Sequence, residues 1–272
     1  MSDEQVDFKR ALLARLRFER SMGMETVPVV ARARAAQTPA ILPPTVASSG
    51  ATVSSTQAPA QRPATFTPAV SVPLQVASIP HVQSAADVET RWKNLEARAK
   101  ACTACALHEA RTHVVFGSGN RQAKIVFVGE GPGEQEDMQG LPFVGPSGEF
   151  LTKIITAMKL TRDDVYLCNV VKCRPPGNRP PLPDEVAACN AFLVEQLELI
   201  NPKVIVALGG PAAKTLCKTS QGIMSIRGRW HAYRGIPVMP TYHPAFVLLQ
   251  YTEVNRRAVW DDMKAVLEKV NQ

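Results

Sequence analysis

Four apolar runs divide the latter part of the chain: Lys124–Gly129, Asp164–Lys172, Lys203–Gly210 and Ile236–His243. They are rich in β-branched residues and lack helical spacing, so they predict strands buried on both faces, as in a parallel sheet. Between and around them the period changes to that of a helix. Val88, Trp92, Leu95 and Ala99 share one stripe, Leu151, Ile154, Ile155 and Met158 another, and Pro183 to about Ile200 and Asn255–Val270 read the same way. Ser147 is the expected cap of the helix after the first strand, and Pro211 the N1 residue of the one after the third. Cys173–Pro181 holds four prolines and is expected to be a loop, and Arg227–Arg234 a hairpin. Strands alternating with helices predict an α/β fold, a three-layer α/β/α sandwich with a central four-stranded, mainly parallel sheet.

The first third reads differently. Phe8, Leu12 and Leu16 lie on one face with arginines opposite, which predicts a short amphipathic helix within residues 1–23. That helix either forms only on contact or docks a protein partner. Residues 24–86 are rich in Pro, Ala, Ser, Thr and Val. From position 27 onward their only charges are Arg32, Arg34 and Arg62, and Phe66 is their only aromatic residue. Such a segment cannot bury enough apolar surface to offset its ordering entropy, so a disordered linker is expected, with the folded domain over 87–272.

No apolar run approaches the ~20 residues of a membrane span, and the N-terminus lacks a basic-then-apolar leader, so a cytoplasmic monomer without membrane attachment is expected. The balance of 31 basic and 24 acidic residues, +7, favours a polyanionic partner. In a reducing compartment the six cysteines point to a metal or a cluster before disulfides. Cys102-x-x-Cys105 with Cys173 and Cys189 supplies four thiolates that can enclose either a tetrahedral zinc or an iron–sulfur cubane. Cys168, inside a strand, and Cys217, in an apolar helix segment, read as core residues.

The chemistry gathers where strands end. Gly129-Glu-Gly-Pro-Gly133 follows the first strand, with Glu136-Asp137 and Pro142-Phe-Val-Gly145 close behind. The glycines let the backbone approach a ligand, but the spacing is not the dinucleotide fingerprint G-x-G-x-x-G. Asn169 and His243 end the second and fourth strands, so all three groups face one crevice at the carboxyl edge of the sheet.

These motifs, with Tyr242-His-Pro-Ala245 and Leu248-Leu249, resemble those of the family 4 uracil-DNA glycosylases over roughly residues 95–268. The resemblance implies removal of uracil from DNA by hydrolysis of the N-glycosidic bond, initiating base excision repair. It implies a [4Fe-4S] cluster on Cys102, Cys105, Cys173 and Cys189 as cofactor, and uracil-containing DNA, single- or double-stranded, as partner. Gly129, Glu130, Gly131, Phe143, Asn169 and His243 would bind uracil, with Phe143 stacking and Asn169 reading the base edge. Glu130 and His243 would be catalytic, His243 in either protonation state, with Glu136 the second candidate for handling the water. Where the best-known uracil glycosylases carry aspartate, this chain has Gly131. Pro244–Leu249 would wedge into the minor groove, and Lys172, Arg174, Arg179, Arg227 and Arg229 are candidate phosphate contacts. The alternative is a catalytically weak uracil- or DNA-binding module that recruits partners through its N-terminal arm.

Overall fold

The computed structural model describes residues 85–272. The helix expected over 1–23 lies outside the described residues, as does the linker expected over 24–86 except for its last two positions, which open the first helix. The elements, in chain order, begin with α1 (Ala85–Lys100), α2 (Leu107–Ala110), β1 (Ser118–Gly119), β2 (Ile125–Gly129), α3 (Glu134–Gln139) and α4 (Pro146–Ala157). β3 (Tyr166–Asn169), a 3₁₀ turn (Pro176–Asn178), α5 (Pro183–Ile200), β4 (Val204–Leu208), α6 (Gly210–Cys217) and α7 (Ile223–Ile226) follow. β5 (His231–Tyr233), β6 (Ile236–Thr241), α8 (Pro244–Leu249) and α9 (Glu253–Val270) complete it.

The sheet has six strands in the order β1-β3-β2-β4-β6-β5. Its four central strands are parallel, with Phe127 beside both Leu167 and Val206, and Val206 beside Met239. These are the four apolar runs of the sequence. Each edge carries a short antiparallel strand that the sequence does not announce, β1 on β3 and β5 on β6. Of Arg227–Arg234, expected to form a hairpin by itself, only His231–Tyr233 is strand, and it pairs with β6 across a turn at Arg234 and Gly235, where both residues have positive φ.

Alternation along β2 divides the core. Val126 and Val128 face Trp92, Leu95, Leu193, Leu197 and Leu216 of α1, α5 and α6. Ile125 and Phe127 face Leu151, Ile155, Val247, Val259 and Met263 of α4, α8 and α9. Both strand faces are thus buried, which is why these runs are apolar throughout. Helix α4 begins at Pro146 with Gly145 as its cap residue, so Ser147 lies inside the first turn and is not the cap. Proline at N1 has no N–H to leave unpaired and needs no side-chain cap at that position. Among the described residues no helix is long and apolar enough to cross a membrane.

Candidate active site

The chain passes from β2 to β3 on one side and then crosses to β4 on the other, so the end of β2 is the point where strand order reverses. Open α/β sheets bind ligands at that point. A pocket of about 490 Å³ lies there, lined by the Glu130–Glu136 loop, Phe143, Asn169, Gly209, His243 and the start of α4. The crevice expected from the strand ends is therefore present, and it brings Gly131, Phe143, Asn169 and His243 together with Glu130.

Gly129 makes the floor possible. A Cβ there would lie 2.4 Å from Asn169 Oδ1 and 2.6 Å from Phe143 Cζ, so both side chains close over a bare backbone. Phe143 is buried and held at φ 56°, a left-handed conformation that a bulky residue adopts only under constraint. The constraint is visible. Arg162 donates to the carbonyl oxygens of Phe143 (3.0 Å) and Pro142 (2.9 Å). Glu136 Oε1 accepts from the backbone N–H of Val144 and Gly145, each at 3.0 Å. Glu136 is thus a clamp on the Phe143 loop, while Asp137 ties α3 to a different segment by accepting from the Thr112 and His113 amides. Arg162 carries no local sequence signal, because its partners, the Thr152 hydroxyl and the backbone oxygens of Pro142 and Phe143, lie ten to twenty positions away.

Asn169 is 2% exposed, yet its side-chain amide makes no hydrogen bond to any described residue. Among the described residues the buried side-chain atoms without a partner are Arg227 Nε and His231 Nε2, so the Asn169 amide, unpaired by the protein, opens onto the pocket space where a ligand can meet it. The His243 ring stands 6.4 Å from the Phe143 ring, centroid to centroid. Gly209, at φ 86°, lets it approach, since a Cβ there would lie 2.9 Å from His243 Cβ. Burial pushes His243 down to about 4, so the ring is neutral near pH 7. Its Nδ1 accepts from the Ala245 amide at 3.2 Å, which leaves the ring proton on Nε2. Burial pushes Glu130 up to about 7, and no described residue hydrogen-bonds its carboxyl. A Cβ on Gly131 would meet Val171 Cγ2 at 2.8 Å.

Of the candidate phosphate contacts, Lys172 is corrected outright: it is 1% exposed and bonded inside the molecule. Arg179 is paired with Glu185, and Arg227 with Asp262, both internal carboxylates. Arg229 is exposed. In the apolar tip Val247 is core, while Leu248 and Leu249 are exposed, Leu249 at the pocket rim.

Cys102, Cys105, Cys173 and Cys189 converge on a second, apolar space closed by Ala99, Ala188 and Phe192. All four are free thiols. Three sulfurs already accept from N–H groups: Cys102 from Ala104 (3.5 Å), Cys189 from the Lys172 amide (3.3 Å) and Cys173 from Arg111 (3.2 Å). Burial pushes the Cys189 thiol to about 11 and raises Cys173, so these two give up their protons only to a strongly binding cation. Among the described residues no three His, Cys, Asp or Glu side chains form a group that could hold a metal ion. The four thiols nonetheless line one common space. Cys168 is buried in β3 and half-buried Cys217 ends α6, both apart from this set.

Residues 116–264 match the model of the uracil DNA glycosylase superfamily. The chain is 50% identical over 171 residues to the type-4 uracil-DNA glycosylase of Thermotoga maritima, covering 61% of this chain and 88% of that one. It is 43% identical over 178 residues to the type-4 uracil-DNA glycosylase of Archaeoglobus fulgidus, covering 61% and 87%. A type-5 uracil-DNA glycosylase of Pyrobaculum aerophilum is more distant, 31% identical over 144 residues, with 47% and 63% covered. This chain belongs to the uracil DNA glycosylase superfamily, in its type-4 branch.

Proposed function

We propose that the chain removes uracil from DNA through the pocket at the end of β2, and that the residues lining it divide the work as follows. The observation that carries the assignment of roles is the open amide of Asn169, buried at the pocket floor beside Phe143. Uracil in a duplex is out of reach, so the base is flipped into the pocket, where its ring lies against Phe143. The Asn169 amide offers one donor and one acceptor, which match O4 and N3–H of uracil. Cytosine presents the opposite polarity at both atoms and would leave them unpaired.

The bond from the sugar C1′ to uracil N1 then breaks, and its electron pair passes into the base, with charge accumulating on O2. The Nε2–H of neutral His243 donates to that oxygen, and preorganised donors of this kind stabilise developing charge without reorganising. Water adds to the cationic C1′ and gives its proton to the Glu130 carboxylate. Excision is therefore expected to rise with pH below about 7, by about tenfold per unit at the acid end, and Glu130→Gln to flatten that limb. The same carboxyl affects folding. The folded chain holds its proton up to about 7 and the unfolded chain releases it near 4.5, so stability falls as pH rises between those values and levels off above. The difference in unfolding free energy between wild type and Glu130→Gln, measured at pH 5 and at pH 8, isolates this contribution from that of other groups and checks its sign.

Cys102, Cys105, Cys173 and Cys189 would hold a [4Fe-4S] cluster, which supplies a covalent staple between the α1–α2 segment and the proline loop beside the pocket. Iron and acid-labile sulfide are expected in the purified chain at about one cluster per molecule, and at a small fraction of that in Cys189→Ala. An iron-free wild type, or a Cys189→Ala protein that keeps full iron, would sink this assignment.

The function is tested with a labelled single-stranded oligonucleotide bearing one uracil. The expected result is release of free uracil and strand scission on alkali treatment. Binding without base release would leave a recognition module in place of an enzyme.

A further inference from the structure

Beside the pocket mouth the chain holds an aromatic ring out of the core. Tyr251 is 59% exposed, and among the described residues no other Phe, Tyr or Trp is exposed as far. It stands two residues past Leu249, which lines the pocket rim, and its ring meets that of Phe150 at 6.2 Å and 73°. Phe150 lies in α4, one turn on from Pro146 and Ser147, which line the same pocket. The ring is therefore set between α4 and α8, two elements that both reach the pocket. The turn that carries it is tied down. The Gln250 carbonyl accepts from the Thr252 amide (2.7 Å) and from the Asn255 side-chain amide (2.9 Å), and the Thr252 hydroxyl caps α9 by accepting from the Asn255 N–H (3.2 Å).

Arg256 lies over the same ring, its Cζ 4.6 Å from the centroid. The acid on that turn, Glu253, is taken by Arg257 at 2.9 Å, and among the described residues no carboxylate pairs with Arg256. An exposed ring under an arginine without a carboxylate holds both halves of a nucleotide contact, an aromatic face for a base and a cation for a phosphate. The pocket creates the need for one. When a base is flipped out of its stack, the next base of the same strand stays at the mouth with one face uncovered.

We propose that Tyr251 and Arg256 form a stacking step for the nucleotide next to the flipped uracil on the same strand: the ring takes the uncovered base and the guanidinium a phosphate of that strand. This rests on the pocket taking uracil, as proposed above. Stacking uses the face of a base and not its edge, so any of the four bases serves. The contact is fullest on single-stranded DNA, where no complementary base holds the neighbour back. It is thus distinct from a wedge made by Leu248 and Leu249, which acts on a duplex.

The test measures binding of the full-length chain to single-stranded oligonucleotides carrying one 2′-fluorinated deoxyuridine, whose fluorine disfavours the cationic sugar and so blocks cleavage. Each oligonucleotide has either an ordinary base or an abasic sugar beside the uracil, on one side and then on the other. For the wild type, removing the neighbouring base on one of the two sides is expected to raise Kd about tenfold. Tyr251→Ala is expected to bind the intact oligonucleotide about tenfold more weakly and to be indifferent to that removal, while Tyr251→Phe keeps the wild-type affinity. Arg256→Gln is expected to lower the slope of log affinity against log salt by about 0.7, the share of one phosphate on a single strand. Affinity for free uracil should be the same in all of them, which shows the fold and the pocket intact. A Tyr251→Ala chain that binds like the wild type, or that loses as much with the neighbouring base as without it, would overturn the stacking step. An unchanged salt slope in Arg256→Gln would overturn the phosphate contact, and a loss confined to duplex DNA would assign Tyr251 to the wedge and overturn the proposal as well. A wild type that releases no uracil from ordinary deoxyuridine defeats the glycosylase reading separately, because the binding comparison involves no cleavage.

Discussion

Replacing His243 by alanine is expected to lower kcat for uracil release by about 10²–10³-fold and to change KM little. The reason is the timing of the contact. Uracil bound as substrate carries no charge on O2, so a neutral imidazole donor gains little there. The gain comes as the bond to the sugar breaks, and an interaction made mainly in the transition state shows in kcat. The protonation state sets a second signature. With His243 held down at about 4, the ring is neutral across the range where Glu130 titrates near 7. His243→Ala should therefore keep the acid limb of the wild type while lowering its plateau. A limb that moved with His243 would mean that the imidazolium is the active form. Stability carries the opposite sign to Glu130: the unfolded chain takes up a proton near 6.5 and the folded one only near 4, so the His243 contribution is lost as pH drops through that window and offsets the Glu130 contribution in the wild type. The difference in unfolding free energy between wild type and His243→Ala should shrink accordingly as pH falls from 6.5 to 4.

Much of this site is legible in the sequence. The runs around Phe127, Leu167, Val206 and Met239 are apolar on both faces because helices cover both, and that pattern alone predicts central parallel strands. Once the strands are placed, Asn169 and His243 fall at strand ends on the same edge, and the Gly129–Gly133 loop between them. What periodicity does not show are contacts between backbone segments. β1 is two residues and β5 three, too short to carry an alternation. Glu136, by the family resemblance the second candidate for handling the water, shows its clamping role only once the Pro142–Gly145 turn folds back over it and presents two amides. Phe143 at φ 56° leaves no mark in its own identity, since the strain is held by Arg162 and Glu136 from elsewhere.

Lys172 is the sharpest case. A lysine beside arginines in a basic, proline-rich stretch belongs by default on the surface, where it would meet phosphate. It lies inside because the cysteines on its own and the facing element draw the chain inward at that point, with Cys173 following it and Cys189 accepting from its amide. The four cysteines are visible in the sequence as a set, but spacing alone leaves zinc and cluster equally open. It is the resemblance to the type-4 family that points to the cluster, and the four thiols do line one common space.

Asn169→Ala is expected to reduce kcat/KM on uracil-containing DNA by about 10²–10⁴-fold, because two hydrogen bonds to the base edge go with the amide, each at about 1–3 kcal/mol. It is also expected to leave folding nearly intact, and the contrast is diagnostic. Most buried polar side chains are bonded to the protein, so deleting one orphans its partner and costs stability. The Asn169 amide has no such partner among the described residues, and Lys172 grips the main-chain carbonyl, which alanine keeps. The melting temperature should therefore fall by no more than a few degrees, the equivalent of about 1 kcal/mol for a domain of this size. Affinity for an oligonucleotide without uracil should hold as well, because no uracil edge is then present for the Asn169 amide to pair with. A variant that lost activity through unfolding would show the reverse, a large drop in melting temperature with binding abolished alongside. If Asn169→Ala proved fully active, the open amide would be serving some ligand other than the base, and the division of roles around Phe143 and His243 would have to be redrawn.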